Sequence, residues 1–184
     1  MKAGIVCAIL GLTALFVGGC IKEENSDKEK KPAVAQKVPK EMFSLSQPAA
    51  IAGKAVSSGG KGIVDFVNGK ALPSTNTAKV AKSEGLLLME GWALDDDAKR
   101  VPETVIIELK AKSGGATYYA PASRKSRKRP DVAEHFNNPK YETGGFTLSG
   151  DIQSVPPGQY AVIIIMVDGD KVQTNSVGVF VEVE

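Results

Sequence analysis

Residues 62–184 are predicted to fold as an all-β domain, an antiparallel β-sandwich with one short helix in a loop. Short apolar segments follow one another there, separated by Gly, Asn, Asp and Pro as turn residues separate strands. About seven or eight such segments, with no cysteine among them, fit a two-sheet domain of roughly 120 residues. Residues 20–61 lack this pattern and are predicted to form a disordered tether.

A tight hairpin begins the predicted domain. Residues 63–67 are apolar except for Asp65, and Asn68-Gly69 follows before a second short segment at 70–72. Asn-Gly tolerates the positive φ angles of a two-residue hairpin turn. Residues 86–94 are predicted to form the next strand, with one face made of Leu86, Leu88, Trp92 and Leu94.

The later strands complete the predicted sandwich. Residues 105–109 and 117–120 are two further strands, and 160–167 is apolar on both faces, as a strand covered on both sides is. Asp168-Gly169 turns the chain into 171–183, in which alternate valines share one face. This series of strands favours an immunoglobulin-like sandwich.

Residues 124–139 interrupt the β pattern. Pro130 suits the first position of a helix, Asp131 favours its positive end, and Asn137-Asn138-Pro139 ends it. We therefore expect one or two helical turns. Val132 and Phe136 stand four residues apart and are expected to face the sandwich together.

The tether is predicted from its composition. Residues 22–31 contain no apolar side chain, and Pro32, Pro39 and Pro48 interrupt the Ala, Val and Lys residues beyond them. Such a segment buries too little apolar surface to offset the entropy of ordering it. The alternative is a short helix over 41–52 packed on the domain, using Met42, Phe43, Leu45 and Ile51.

An uncharged, mostly apolar segment, residues 3–17, follows the basic start Met1-Lys2 and leads to Gly18-Gly19-Cys20. This order is typical of a cleaved secretory signal, and the final cysteine makes it resemble bacterial lipoprotein signals. The resemblance implies removal of residues 1–19, a diacylglyceryl group on the Cys20 thiol and usually one more acyl chain on the new amino terminus. Two alternatives are an uncleaved membrane anchor and a secretory signal in which Cys20 is incidental.

Ile21 bears on the destination of such a lipoprotein. In enterobacterial lipoproteins, Asp at this position favours retention in the inner membrane. Ile21 therefore implies, by the same resemblance, a lipid-anchored protein of the cell envelope at the outer membrane.

Processing at Cys20 would also change the chemistry of the chain. Cys7 would be lost and Cys20 modified, so no thiol would remain for a disulfide, a metal or nucleophilic catalysis. Without Lys2, the 23 basic residues become 22 against 21 acidic ones. This balance argues against a nucleic acid partner, and no cofactor is predicted.

Four short motifs resemble a known module. They are Gly91-Trp92-Ala93 before an Asp cluster, 129–133 with Phe136, Gly144-Gly145-Phe146, and 157–160 before an apolar strand. Together, over 86–181, they resemble a β-sandwich module appended to bacterial membrane glycosyltransferases and other envelope proteins. The resemblance implies a sandwich in an envelope setting. It implies no active site, because the motifs are structural.

A basic segment is the candidate binding site for an anionic partner. Five positive charges lie within six residues and could contact phosphates or carboxylates of lipopolysaccharide, an acidic glycan or a protein. The alternative is a solvated loop. The residues are Arg124, Lys125, Arg127, Lys128 and Arg129.

Other polar residues are better explained as structure. Asp95-Asp96-Asp97 lacks the spacing of a calcium loop and is predicted to be a turn, and Asp168-Gly169-Asp170 a hairpin. His135 is the only histidine, so no histidine metal cluster or Ser-His-Asp triad is expected. Trp92 is predicted to be the central core aromatic, the alternative being an exposed ring that stacks on a sugar together with Tyr118 and Tyr119.

These observations predict a membrane-anchored envelope lipoprotein that acts as a non-enzymatic binding or accessory module for a surface assembly or polysaccharide system. Its expected partners are the membrane, through the lipid, and an envelope protein or glycan. The alternative is a glycan-acting enzyme with paired carboxylates, either Asp131 with Glu134 or Asp95 with Asp97. A purely structural spacer is a third possibility.

Overall fold

Two β-sheets packed face to face are the framework of the computed structural model, which describes residues 41–124 and 127–184. All of these residues belong to one compact unit, Lys37–Glu184. The strands are β1 Glu41–Met42, β2 Val56–Ser58, β3 Lys61–Val67, β4 Lys70–Ala71, β5 Thr77–Val80, β6 Leu87–Leu94, β7 Thr104–Ala111, β8 Thr117–Ala122, β9 Gly145–Asp151, β10 Gly158–Asp168 and β11 Lys171–Val183. The single α-helix among the described residues, α1, spans Pro130–His135, and 3-10 turns lie at Lys82–Glu84, Pro139–Thr143 and Ile152–Ser154.

Sheet A has the order β1-β9-β6-β3-β4, and sheet B has the order β2-β11-β10-β7-β8 with β5 beside β11. The mostly β class with one short helix is confirmed, but the prediction that the sheets are antiparallel throughout is not, because both sheets are mixed. Three pairs are parallel: β1 with β9, β2 with β11 and β5 with β11. The strands of each parallel pair lie far apart in the sequence, so no hairpin turn predicts the pairing.

The inner faces of the two sheets form an apolar core. Strand β10 contributes Val162 and Ile164, and the alternating valines of β11 face the same space. The opposite face of β10 is covered too, because Ile165 and Val167 pack with Ile51 in a second cluster. The prediction that β10 is buried on both faces is therefore confirmed.

The folded part of the chain begins before the predicted domain boundary at residue 62. Phe43 is buried, and its ring packs against Gly150, where a side chain would overlap the ring. Ile51 is buried on the outer face of sheet B. Residues 41–61 are thus part of the fold, since the two apolar side chains find sheets to pack against. The segment contains strands and turns, and the alternative helix over 41–52 does not form.

The two predicted tight turns are confirmed. Asn68 and Gly69 both have positive φ, at 48° and 73°, and connect β3 to β4. Gly169, with φ of 55°, lies in the turn between β10 and β11.

Among the described residues, none of the helices is long and apolar enough to cross a membrane.

The described part of the β8–β9 loop, residues 123, 124 and 127–144, lies across the outer face of sheet A. It contains α1, which occupies the predicted position and buries Val132. Phe136 stacks edge-on against Trp92 and against Tyr141, both at 5.7 Å between ring centres. Trp92 is buried as predicted, with 8% of its surface exposed, but it lies in this outer cluster and not in the core between the sheets.

Candidate functional site

The basic segment attaches the β8–β9 loop to sheet A. Arg129 donates to Asp65 of β3 over 2.6 Å and to both carboxylate oxygens of Asp131 over 2.7 and 2.9 Å. Arg127 pairs with Glu90 of β6. Each of these arginines therefore neutralises an acidic side chain on a neighbouring strand.

The other members of the basic segment differ in their surroundings. Arg124 donates to the carbonyl of Thr143 over 3.1 Å, and burial lowers the pKa of its guanidinium while Asp168 opposes that shift. Lys128 pairs with Glu142 over 3.2 Å, yet 78% of its side chain is exposed. Lys125 lies outside the described residues. Of the described members, Lys128 projects furthest into solvent.

The predicted Asp turn is present and is stabilised by ion pairs. Buried Asp95 accepts from Lys171 over 2.7 Å and from the amide of Ala98 over 3.1 Å. Burial acts to raise the pKa of Asp95, but these donors outweigh it and the pKa is lowered. Its role is therefore that of an ionised anchor between the β6–β7 turn and the start of β11.

Asp96 lies beside Asp95 and connects three elements. It accepts from Lys61 over 2.7 Å, from the Tyr141 hydroxyl over 2.8 Å and from Lys99 over 3.1 Å. These donors, Lys61 first, hold the pKa of Asp96 well below its usual range. Within residues 41–124 and 127–184, no group of His, Cys, Asp and Glu is arranged to hold a metal ion.

Each carboxylate pair considered for glycan hydrolysis has one member whose pKa is lowered, Asp131 in one pair and Asp95 in the other. A general acid needs a raised pKa, whereas hydrogen bonds from Arg129 lower the pKa of Asp131 against a smaller effect of burial. Glu134 and Asp97 are exposed. Among the described carboxyl groups, burial raises the pKa of Glu108, and the charge of Lys110 opposes that shift. Its position within the apolar segment 105–109 was the available sequence signal.

An exposed apolar patch lies on β3. Ile63 and Phe66 are 47% and 37% exposed, although both are large apolar side chains. Ile63 borders a shallow groove of about 320 Å³, above which Lys61 sits 5.0 Å from the centre of the Phe136 ring. The groove is lined by Ile63, Trp92, Asp131, Val132, His135 and Phe136.

A second groove, of about 390 Å³, opens at the side of the sandwich. We call it the side groove; strands β4 and β5, which belong to different sheets, contribute to its walls. Asn68 fixes one end by donating to Glu84 over 2.6 Å and accepting from the amide of Leu88 over 2.7 Å. The lining residues are Val67, Asn68, Lys70, Ala71, Pro73, Thr77, Ala78, Lys79 and Glu84.

Neither groove was predicted from the sequence. They bring together residues from separate segments, and their polar members do not form a spaced motif. For the first groove, the sequence offered Ile63 and Phe66, two apolar residues on either side of the charged Asp65. For the side groove, it offered Pro73 in the connection after β4.

Comparison with known proteins brings no match: no family model, no curated protein and no solved structure is similar to the chain at a significant level.

Proposed function

We propose that the chain is a bacterial envelope lipoprotein, anchored through lipid on Cys20 at the outer membrane, whose sandwich is a non-enzymatic protein-binding module. The order of basic start, apolar segment, Gly18-Gly19 and Cys20 supports the anchor. Several acyl chains hold a protein far more firmly than one, since each buried CH₂ contributes about 0.8 kcal/mol. The sandwich would then serve a surface assembly or polysaccharide system as an accessory.

We further propose that the sandwich is immunoglobulin-like. Taken in chain order as strands A, B, C, E, F and G, the strands β3, β6, β7, β9, β10 and β11 fall into the two sheets as A-B-E and C-F-G do in that fold. In addition, the Tyr160 hydroxyl near the start of β10 donates to the carbonyl of Pro156 over 2.9 Å. A tyrosine bonded to backbone a few residues upstream is typical of strand F.

The exposed patch of Ile63 and Phe66 carries the proposal that the module binds a protein. Large apolar side chains that remain exposed together mark interaction surfaces more often than isolated ones do. Ile63 lies in the groove with Trp92 and Phe136, and charged groups are close to the patch. The Lys61 ammonium lies over the Phe136 ring, and Asp65, between Ile63 and Phe66 in β3, pairs with Arg129. An apolar centre with a polar rim is the usual anatomy of a protein interface.

The anchor is tested by metabolic labelling with an alkyne fatty acid. We expect label on the wild-type chain and none on Cys20→Ser, together with loss of maturation. Cys7→Ser is the matched control and should label normally, because Cys7 lies within the segment that is removed. Unchanged labelling and membrane retention of Cys20→Ser would contradict the anchor.

The binding surface is tested by replacing the patch. In detergent extracts, we expect Ile63→Ser with Phe66→Ser to reduce the recovery of a co-purifying partner by about tenfold, as loss of central apolar contacts does. Val56→Ser is the matched control, because Val56 is similarly exposed but lies on strand β2 of sheet B. Equal recovery with both variants would remove the patch from the proposal.

A further inference from the structure

Strand β5 has a free backbone edge that faces the side groove. The Asn76 carbonyl accepts from the Phe180 amide over 2.8 Å, and the Val80 carbonyl accepts from the Glu184 amide over 3.0 Å. The backbone groups of even-numbered residues therefore point toward β11. Backbone groups alternate along a strand, and those of Thr77 and Lys79 therefore point away from β11. No described strand lies beyond β5 in sheet B.

The side groove next to this edge has small or apolar walls. Val67, Ala71, Pro73 and Ala78 line it, so an added side chain would meet carbon atoms there. Strand β4, on the other wall, is an edge as well, since among the described strands it pairs with β3 alone. The sandwich is consequently open on this side, between an edge of sheet A and an edge of sheet B.

Charge indicates the chemistry that the groove would accept. The side chain of Lys79 is already paired with Glu184 over 2.6 Å and with Glu182 over 3.7 Å. Lys70, in contrast, has an exposed position on β4 and no ion-pair partner among the described residues. Within the described part of the chain, the groove thus offers a strand edge, an apolar wall and, at Lys70, one ammonium group without an ion-pair partner. The Glu84 carboxylate, which also lines the groove, is held by the Asn68 amide.

We propose that an extended segment of a partner protein adds to β5 as a further strand and lies in the side groove. Its backbone pairs with Thr77 and Lys79, alternate side chains fill the space against Val67 and Ala71, and an acidic residue meets Lys70. Strand addition derives affinity from main-chain hydrogen bonds and specificity from alternate side chains. This inference deepens the proposed binding function and rests on it.

A substitution at residue 79 separates backbone pairing from side-chain contact. Lys79→Pro removes the outward N–H, whereas the bonds to β11 come from residues 78 and 80, and Pro is compatible with such an edge position. Lys79→Ala removes the same ion pairs and keeps the N–H, which makes it the matched control. Thr77→Pro is unsuitable because Asn76, with φ of 53°, would precede the proline.

The experiment places a benzophenone amino acid at position 73, on the groove wall, in the full chain in its own cells. The chain with Lys79 and the Lys79→Ala chain should give the same cross-linked partner, with an extended acidic segment at the adduct. The yield from Lys79→Pro should be at least about tenfold lower, and Lys70→Glu should lower it as well. Urea unfolding and the near-ultraviolet spectrum of Trp92 establish that each variant is folded.

Three outcomes would overturn the inference: no adduct at position 73, equal yields from folded Lys79→Pro and Lys79→Ala, or an adduct to a helical segment. An unfolded Lys79→Pro chain would be replaced by Ala71→Arg, which fills the groove from sheet A and should abolish the adduct. Co-purification that depends on Ile63 and Phe66, without an adduct at 73, would leave the proposed function standing and remove strand addition alone.

Discussion

Between the sheets, Phe146, Ile164 and Val181 are fully buried among apolar neighbours, whereas the β8–β9 loop on the outer face of sheet A is held by aromatic contacts and charged pairs. The first region depends on apolar area removed from water. The second depends on Arg127 and Arg129 meeting acids of β6 and β3.

This difference changes the interpretation of the basic segment. Five positive charges in six residues are consistent with a free anion-binding site. However, two of the arginines are paired with acids of sheet A, and a third donates to the backbone carbonyl of Thr143. A cluster of charged residues in the sequence therefore does not by itself predict the electrostatic potential at the protein surface, because ion pairs in the fold can neutralise it. The comparison predicts that the two regions respond differently to substitution and to pH.

The largest effect is expected in the core between the sheets. Phe146→Ala removes a fully buried ring that packs against Gly91, and should lower the free energy of unfolding by about 3–5 kcal/mol. Urea unfolding measures this loss. A loss below about 1 kcal/mol would mean that the core does not depend on close packing.

A somewhat smaller effect is expected for Trp92→Ala, about 3 kcal/mol, because Trp92 lies in the outer cluster and keeps slight exposure. Removing its contact with Phe136 should also loosen residues 127–143 locally. Hydrogen exchange should therefore rise in this segment before it rises in β10. Uniform acceleration across both regions would show that the loop and the core open as one unit.

Arg129→Gln should cost less, about 1–3 kcal/mol, chiefly by leaving Asp65 without its charged partner. The matched control is Lys128→Gln, which should cost less than about 0.5 kcal/mol because its ion pair with Glu142 is exposed. Urea unfolding of both variants provides the comparison. Equal losses would contradict the structural role assigned to Arg129.

The smallest effect is expected from acid. The pKa of Asp131 is lowered by Arg129 and that of Asp96 by Lys61, so both acids stabilise the folded state while ionised. Their contribution is complete above the unfolded-state pKa of about 3.9 and is lost as pH falls through the lower folded-state values. Stability should fall below about pH 4, and less steeply in Arg129→Gln. Parallel acid profiles would contradict this linkage.

Local signals account for the parts of the fold that were predicted. Asn68-Gly69 identified a hairpin from two residues, and Pro130 with Asn137-Asn138-Pro139 bounded the helix. The alternating valines of β11 assigned its inner face correctly. In each case the information lies within a few residues of the element.

The remaining features depend on residues far apart in the sequence. Phe43 and Ile51 are buried only because the sheets that cover them form elsewhere. The prolines at 39 and 48 and the polar segment 22–31 therefore predicted a tether. Arg129 pairs with an acid 64 residues away, which no local pattern identifies. Likewise, the alternation of β6 placed Trp92 on a face but did not reveal which face is covered by the β8–β9 loop.

The central claim is that the sandwich meets its partner through exposed apolar surface and not through the basic segment. The most direct measurement compares photo-cross-linking from position 66, in the apolar patch, with cross-linking from position 128, the described member of the basic segment most open to solvent. In the full chain in its own cells, we expect a discrete protein adduct from position 66 and none from position 128. An adduct from position 128 alone would contradict the account and assign binding to the basic segment.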